Sequence, residues 1–297
     1  MSAPGTDGPH FFDAHCDTFL SVVEKGASFG TGDGLQLSLP GLLRAGVRAQ
    51  VFAAWTLAER LSGREDRVAL QIIEAVKAAC RKHAESLVLV RTRADLESAL
   101  GSPGKVAAIC ALESADPLKG DPSALDAFRS AGVRLITIAW ADNAFCGSSY
   151  GSGSGLTDKG RELVAHCEES GVMVDVSHAS DDGFWDVCGV ATKPFLTSHS
   201  NCRALCDNSR NVTDDMIRAL AEQGGVVGVN LYSGFLSQEF SDRDREHQAA
   251  LERDPAAEGR TWDEMGELIG AFHASLPRPP LSLLADHVSH LIKVGGQ

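Results

Sequence analysis

Several features that would assign a function quickly are missing from this 297-residue chain. It contains no apolar run of 18 residues, so a membrane-spanning helix is not expected. Met1-Ser2-Ala3-Pro4-Gly5 lacks the basic and apolar regions of a secretory leader. No Cys-x-x-Cys occurs among the eight cysteines, at 16, 80, 110, 146, 167, 188, 202 and 206. They are scattered singly, several within apolar stretches, and read as reduced, packed thiols. No Gly-x-Gly-x-x-Gly follows the first strand, which argues against a dinucleotide fold. Gly151-Ser152-Gly153-Ser154-Gly155 has no Walker lysine and reads as a flexible loop near the site. Excess positive charge is absent too. The net charge of −13 disfavours nucleic acid and anionic membrane surfaces as partners. These absences together give the expectation of a cytoplasmic protein.

What is present is a regular alternation. Short apolar runs at residues 11–15, 47–55, 106–113, 133–140, 172–178, 194–199 and 226–232 predict strands, and helical patterns fill the intervals. Val68, Ile72, Ile73, Val76 and Ala79 form one helical stripe, and Met216, Ile217 and Leu220 another. Thr213-Asp214-Asp215 is a helix start, and Gly171 and Gly224 fall where helices should stop. Residues 237–260 read as a solvated helix or excursion. Beyond Pro277-Arg278-Pro279-Pro280, Leu284, Val288, Leu291 and Ile292 make a last helical stripe. Nearly continuous apolar strands separated by helices predict a parallel sheet covered on both faces, an open doubly wound sheet or a (β/α)8 barrel.

Ligand-type residues at the ends of several strands favour the barrel. His15 and Asp17 form a His-x-Asp pair, which strand alternation would project from one face, with Cys16 turned away to pack. Glu113 ends the run Ile109-Cys110-Ala111-Leu112. A carboxylate there is expensive to bury unless it meets a cation or a donor. His178 and His199 each close an apolar run after a hydroxyl residue. With Glu113 bridging, His15 and Asp17 can hold one metal and His178 and His199 a second. Nitrogen and oxygen donors without thiolates suit zinc, with manganese or cobalt as substitutes. Arg210 follows His199 in Ser209-Arg210-Asn211. Its planar fork suits a substrate carboxylate, and a salt bridge to a neighbouring acid is the alternative.

His15-Cys16-Asp17, Leu112-Glu113, Asp175-Val176-Ser177-His178, Ser198-His199-Ser200 and 209–215 (Ser-Arg-Asn-Val-Thr-Asp-Asp) resemble the membrane dipeptidase (renal dipeptidase-like) family of zinc peptidases. The resemblance runs from about residue 10 to the end and is most specific over 197–215. It implies a single domain over 1–297, a (β/α)8 TIM barrel of the metal-dependent hydrolase type. It further implies two zinc ions on His15, Asp17, Glu113, His178 and His199, with Glu113 bridging. The implied activity is dipeptide hydrolysis, on L,L and L,D substrates, with Arg210 holding the substrate carboxylate. Two zinc ions would lower the pKa of a shared water, and the resulting hydroxide would attack the amide. A homodimer is a further expectation from the family.

The chain departs from the pattern twice. Trp140 stands where many members have a substrate-contacting histidine, and its indole N–H can donate one hydrogen bond. The helix resembling 286–293 is followed in the family by an eighth strand carrying an aspartate. Only Gly295-Gly296-Gln297 follow here, so a truncated barrel without its eighth strand is expected and the general base is unassigned. Two other readings compete: a catalytically silent metal-binding homologue, and a two-metal amidohydrolase acting on another amide or a lactam. The His-x-Asp start, in place of His-x-His, favours the dipeptidase over the latter.

Overall fold

The computed structural model describes residues 10–255 and 259–296, which divide into a unit ending at Ser198 and a unit beginning at His199. The first unit carries β1 (Phe11–Asp13), β2 (Val47–Trp55), β3 (Leu87–Leu89), β4 (Val106–Glu113), β5 (Val133–Thr137), β6 (Met173–Asp175) and β7 (Leu196–Thr197). They pair in parallel in the order β1-β2-β4-β5-β6-β7. β3 was not foreseen from the sequence. It takes the edge of β4 opposite β2 at Val106–Ala108, and β5 takes the same edge further on, from Cys110.

Helices follow most of the strands and cover the sheet, so its residues are apolar in unbroken runs. Residues 49–54 of β2 are all buried, and within β4 only Ile109 is partly exposed. The helix Glu65–Lys82 buries Ala69, Ile72, Ile73, Val76 and Cys80. Phe19, Phe29 and Phe52 pack as an aromatic cluster with centroids 4.9–5.5 Å apart. None of the eight cysteines is in a disulfide, and six of them are buried.

The backbone ladders stop earlier than the apolar runs suggest. β1 ends at Asp13, β5 at Thr137, β6 at Asp175 and β7 at Thr197, so His15, Trp140 and His178 lie beyond their strands. Trp55, Glu113, Thr137, Asp175 and Leu196 are successive register partners and form one row across the sheet. Past this row a buried side chain takes over from the ladder. Oδ1 of Asp175 accepts hydrogen bonds from the N–H groups of Ser177 and Ser198 (3.0 Å each) and from the Ser177 hydroxyl. Its Oδ2 accepts from the hydroxyls of Thr137 (2.7 Å) and Ser198 (2.6 Å). One carboxylate thereby ties the ends of β5, β6 and β7.

The second unit contains β8 (Val226–Val227) and helices Asp214–Glu222, Ser233–Leu236, Gln238–Glu252, Trp262–Ser275 and Leu281–Gly295. The polar stretch from 237 is mostly the helix Gln238–Glu252. Asp244 on that helix accepts from Tyr232 Oη (2.9 Å) and Gln248 (3.0 Å) and pairs with His273 (2.7 Å). Met216, Ile217 and Leu220 are buried as their spacing predicts. The stripe on Leu281–Gly295 is not: Val288 and Ile292 are exposed, and His287 is the buried residue. His287 Nδ1 accepts from the Cys202 N–H (3.0 Å), so Nε2 carries the proton and donates to the Leu236 carbonyl (3.1 Å). No helix among the described residues is long and apolar enough to cross a membrane.

Two outcomes are expected. Asp175→Ala leaves at least two buried backbone donors and three hydroxyls without their acceptor, and should cost about 3 kcal/mol or more in urea unfolding. Burial lowers the His287 pKa below its ordinary value, against the hydrogen bond to the Leu236 carbonyl and with the charge of His290. The unfolded chain therefore takes up the proton first. The contribution of His287 is intact above about pH 6.5 and falls away as the pH drops through the unfolded value. The urea midpoint should decline between about pH 7.5 and about pH 5.5, and His287→Gln should flatten part of that decline.

Candidate metal centre

Glu113 is the last residue of β4 and is almost fully buried at 3% exposure. Ser114, which follows it, has φ +85°, a left-handed conformation that costs a non-glycine residue energy. The turn is held by Ser114 Oγ donating to Asp116 (2.8 Å) and accepting from Asn143 (3.4 Å). The chain leaves the sheet abruptly there, with the Glu113 side chain at the sheet end.

Three groups meet that carboxylate. His15 Nε2 lies 3.3 Å from Glu113 Oε2, and His178 Nε2 lies 3.1 Å from Oε1. Asp17 Oδ2 lies 3.3 Å from the same His15 nitrogen. His15 and Asp17 do come together, but not by strand alternation. Both lie past the end of β1, and Asp17 occupies the cap position of the helix Thr18–Lys25. The Ala53 N–H donates to the Cys16 carbonyl (2.9 Å), which keeps this segment against β2 beyond the ladder.

His178 is placed by three adjoining features. The Val176 N–H donates to the Leu196 carbonyl (2.9 Å), Asp175 holds Ser177, and the Ser149 N–H donates to the His178 carbonyl (2.9 Å). Ser149 lies just before the glycine-rich stretch 151–155, whose backbone, with that of Leu156, is hydrogen-bonded to neighbouring carboxylates. Asp142 accepts from the Ser148 and Ser152 N–H groups (2.7 Å each). A Cβ on Gly151 would fall 2.0 Å from Asp142 Oδ1, and one on Gly155 2.1 Å from Asp186 Oδ2. The glycines permit the close approach of two carboxylates. Trp140 faces the site, with its ring 5.9 Å from the His178 ring and 5.3 Å from Trp55.

The electrostatics are those of charges crowded out of water. Burial, then the nearby charge of Asp17, pushes the Glu113 carboxyl up to about 7, against the pull of His15. Burial disfavours the His15 cation, but the charge of Glu113 and the Asp17 hydrogen bond outweigh it and hold its pKa well above the usual value. For Asp17, burial is outweighed by the hydrogen bond and charge of His15, so its carboxyl titrates below the ordinary range. Asp17 Oδ1 is buried without a hydrogen-bond partner among the described residues. Two imidazoles and two carboxylates, one of them with a buried oxygen to spare, fit a divalent cation.

The other two residues singled out by sequence lie in the second unit. Arg210 is buried at 3% exposure, with its guanidinium 5.3 Å over the Phe235 ring and NH2 3.5 Å from the His199 carbonyl. Its N–H donates to Asn208 Oδ1 (2.9 Å). Sequence reasoning missed the supporting residues Asp175, Thr137, Ser177, Ser198 and Asp142. The only signal for them was an acid or hydroxyl inside or just after an apolar run.

Known proteins resemble this chain in sequence and in fold. Dipeptidase 3 of Macaca fascicularis is 34% identical over 209 residues, covering 68% of this chain and 42% of the relative. The chain spans about half the length, or less, of the curated relatives it matches. Among solved structures, a metallopeptidase described as the dipeptidase AC is 26% identical with a TM-score of 0.76, covering 96% of this chain and 81% of that one. A metallopeptidase from Rhodobacter sphaeroides, liganded with a phosphinate mimic of the dipeptide L-Ala-D-Ala, is 23% identical with a TM-score of 0.77. That alignment covers 96% of this chain and 82% of that one. The α/β, TIM-barrel-type fold expected from the sequence is the fold of this chain. The family model for membrane dipeptidase (peptidase family M19) matches residues 8–297, and the chain belongs to that family.

Proposed function

We propose that the chain is a metallo-dipeptidase that hydrolyses the amide bond of L,L and L,D dipeptides with two zinc ions. The observation that carries this reading is the Glu113 carboxylate, which turns one oxygen toward His15 and the other toward His178. That is the disposition a bridging carboxylate needs. In this reading His15 and Asp17 would hold one ion, His178 and His199 the second, and Glu113 would serve both. Zinc supplies Lewis acidity toward the scissile carbonyl and makes water nucleophilic near neutral pH.

The chain's own residues do the rest. Glu113 and Asp17 bring negative charge that offsets a dication, which lowers the cost of burying either. Arg210 holds the free carboxylate of the substrate, its cation stacked on Phe235. Trp140, beside His178, offers an indole N–H as a single neutral donor where the resemblance has histidine, which tunes rate and substrate range. A single catalytic domain and a homodimer belong to the same reading through the family resemblance.

A panel of L,L and L,D dipeptides tests it, with turnover measured alongside zinc content by elemental analysis. The expected outcome is turnover that a chelator abolishes and zinc restores. Glu113→Gln should abolish turnover and lower zinc content, and His178→Ala should reduce bound zinc from about two ions to about one. Chelator-resistant turnover would overturn the metal assignment. A folded, zinc-loaded chain with no turnover on any dipeptide would favour the silent homologue.

A further inference from the structure

The sheet of the first unit has a second open end. Val51, Ile109, Leu135 and Leu196 belong to a cluster of apolar side chains between the strands. On the side of this cluster where the strands begin lies a cavity of about 420 Å³, lined additionally by Phe12, Ala14, Val90, Leu96 and Met173. This volume falls within the range of small-molecule sites, roughly 300–1,000 Å³. Ile109 precedes Glu113 by four residues on β4, so at about 3.3 Å per residue the cavity wall stands about 13 Å from the metal centre. The two ends of the sheet are chemically separate.

Four arginines rim this cavity: Arg91, Arg93, Arg129 and Arg134. Arg93 is neutralised by Glu97 at 2.7 Å. The other three form no ion pair among the described residues. Asp95, the nearby acid, spends its carboxylate on the N–H groups of Arg91 (2.9 Å) and Thr92 (2.8 Å) as a helix cap. Backbone carbonyls hold two of the guanidinium groups, those of Arg129 and Arg134, in place. Arg134 donates to the carbonyls of Arg91 (2.6 Å), Arg129 (3.0 Å) and Val133 (2.6 Å), and Arg129 to that of Ser170 (2.5 Å). Burial and the charges of Arg129 and Arg91 lower the Arg134 pKa, as expected where like charges gather around a half-buried cation.

An apolar cleft whose rim carries three arginines without an ion pair among the described residues fits a ligand of matching polarity. We propose that this cavity binds a small amphipathic carboxylate, a medium-chain fatty acid in its chemistry, with its chain inside and its head on Arg91, Arg129 and Arg134. Arginine forks favour a carboxylate head because two parallel N–H groups match its two oxygens. The chain displaces poorly held water from apolar walls. No residue of the metal centre takes part.

Calorimetric titration of decanoate into the zinc-loaded full chain, below the micellar concentration, tests the proposal. Saturable binding at one site is expected, with 1-decanol and decylammonium weaker by about tenfold or more. Met173→Trp, which enlarges an exposed wall residue at the cavity, should abolish binding. Arg91→Glu, on the exposed rim, should weaken it by about tenfold at an unchanged melting temperature, and it keeps the test open if Met173→Trp fails to fold. Glu113→Gln should leave decanoate affinity unchanged. No saturable binding, or equal binding of 1-decanol, would overturn the proposal. Binding lost in Glu113→Gln yet kept in both cavity variants would place the anion on the metal and also overturn it.

Discussion

A parallel sheet in this chain has to deliver side chains from separate strands to one point after its own hydrogen bonds have run out. The Asp175 carboxylate makes that possible. It lies at zero exposure and takes five hydrogen bonds from Thr137, Ser177 and Ser198, two of them from backbone N–H groups. A buried carboxylate left alone would be strongly unfavourable, and one saturated with donors becomes a rigid node. It sits where β5, β6 and β7 end, so each strand leaves the sheet on a set heading. His178 is three residues further along. Its approach to Glu113 at 3.1 Å depends on that heading.

Much of this was legible in the residues themselves. The strands over Val47–Trp55 and Val106–Glu113 and the helices over Glu65–Lys82 and Asp214–Glu222 have long, regular apolar patterns, and each forms where the pattern lies. The shorter elements were harder. Leu87–Leu89 is too brief to show alternation and exists because β4 offers it an edge. The runs ending at His15, Trp140 and His178 look like strands to their last residue, because apolar character continues where the ladder does not. Sequence reports burial there, not pairing.

The site was legible as a set of residue types and illegible as geometry. Alternation brings His15 and Asp17 together on paper; in the molecule a helix cap and the Ala53–Cys16 hydrogen bond do so. Asp175 and Asp142 were invisible as supports, since nothing local distinguishes a carboxylate that orders a loop from one that faces water. The glycines of 151–155 look like freedom and act as clearance for Asp142 and Asp186. The stripe on Leu281–Gly295 fails for a related reason. Periodicity finds the apolar face of a helix, and in this unit His287 supplies the anchoring contacts to Cys202 and Leu236.

The row Trp55, Glu113, Thr137, Asp175 and Leu196 carries a consequence for how the molecule matures. Strand side chains alternate, so sliding any one of these strands by a single residue turns its member of the row to the opposite face. A slip of β4 would withdraw Glu113 from both histidines; a slip of β6 would withdraw Asp175 from Thr137 and Ser198 on the neighbouring strands. Strand alignment and assembly of the site are therefore a single event: a chain with mispaired strands cannot bring the Glu113 carboxylate to His15 and His178.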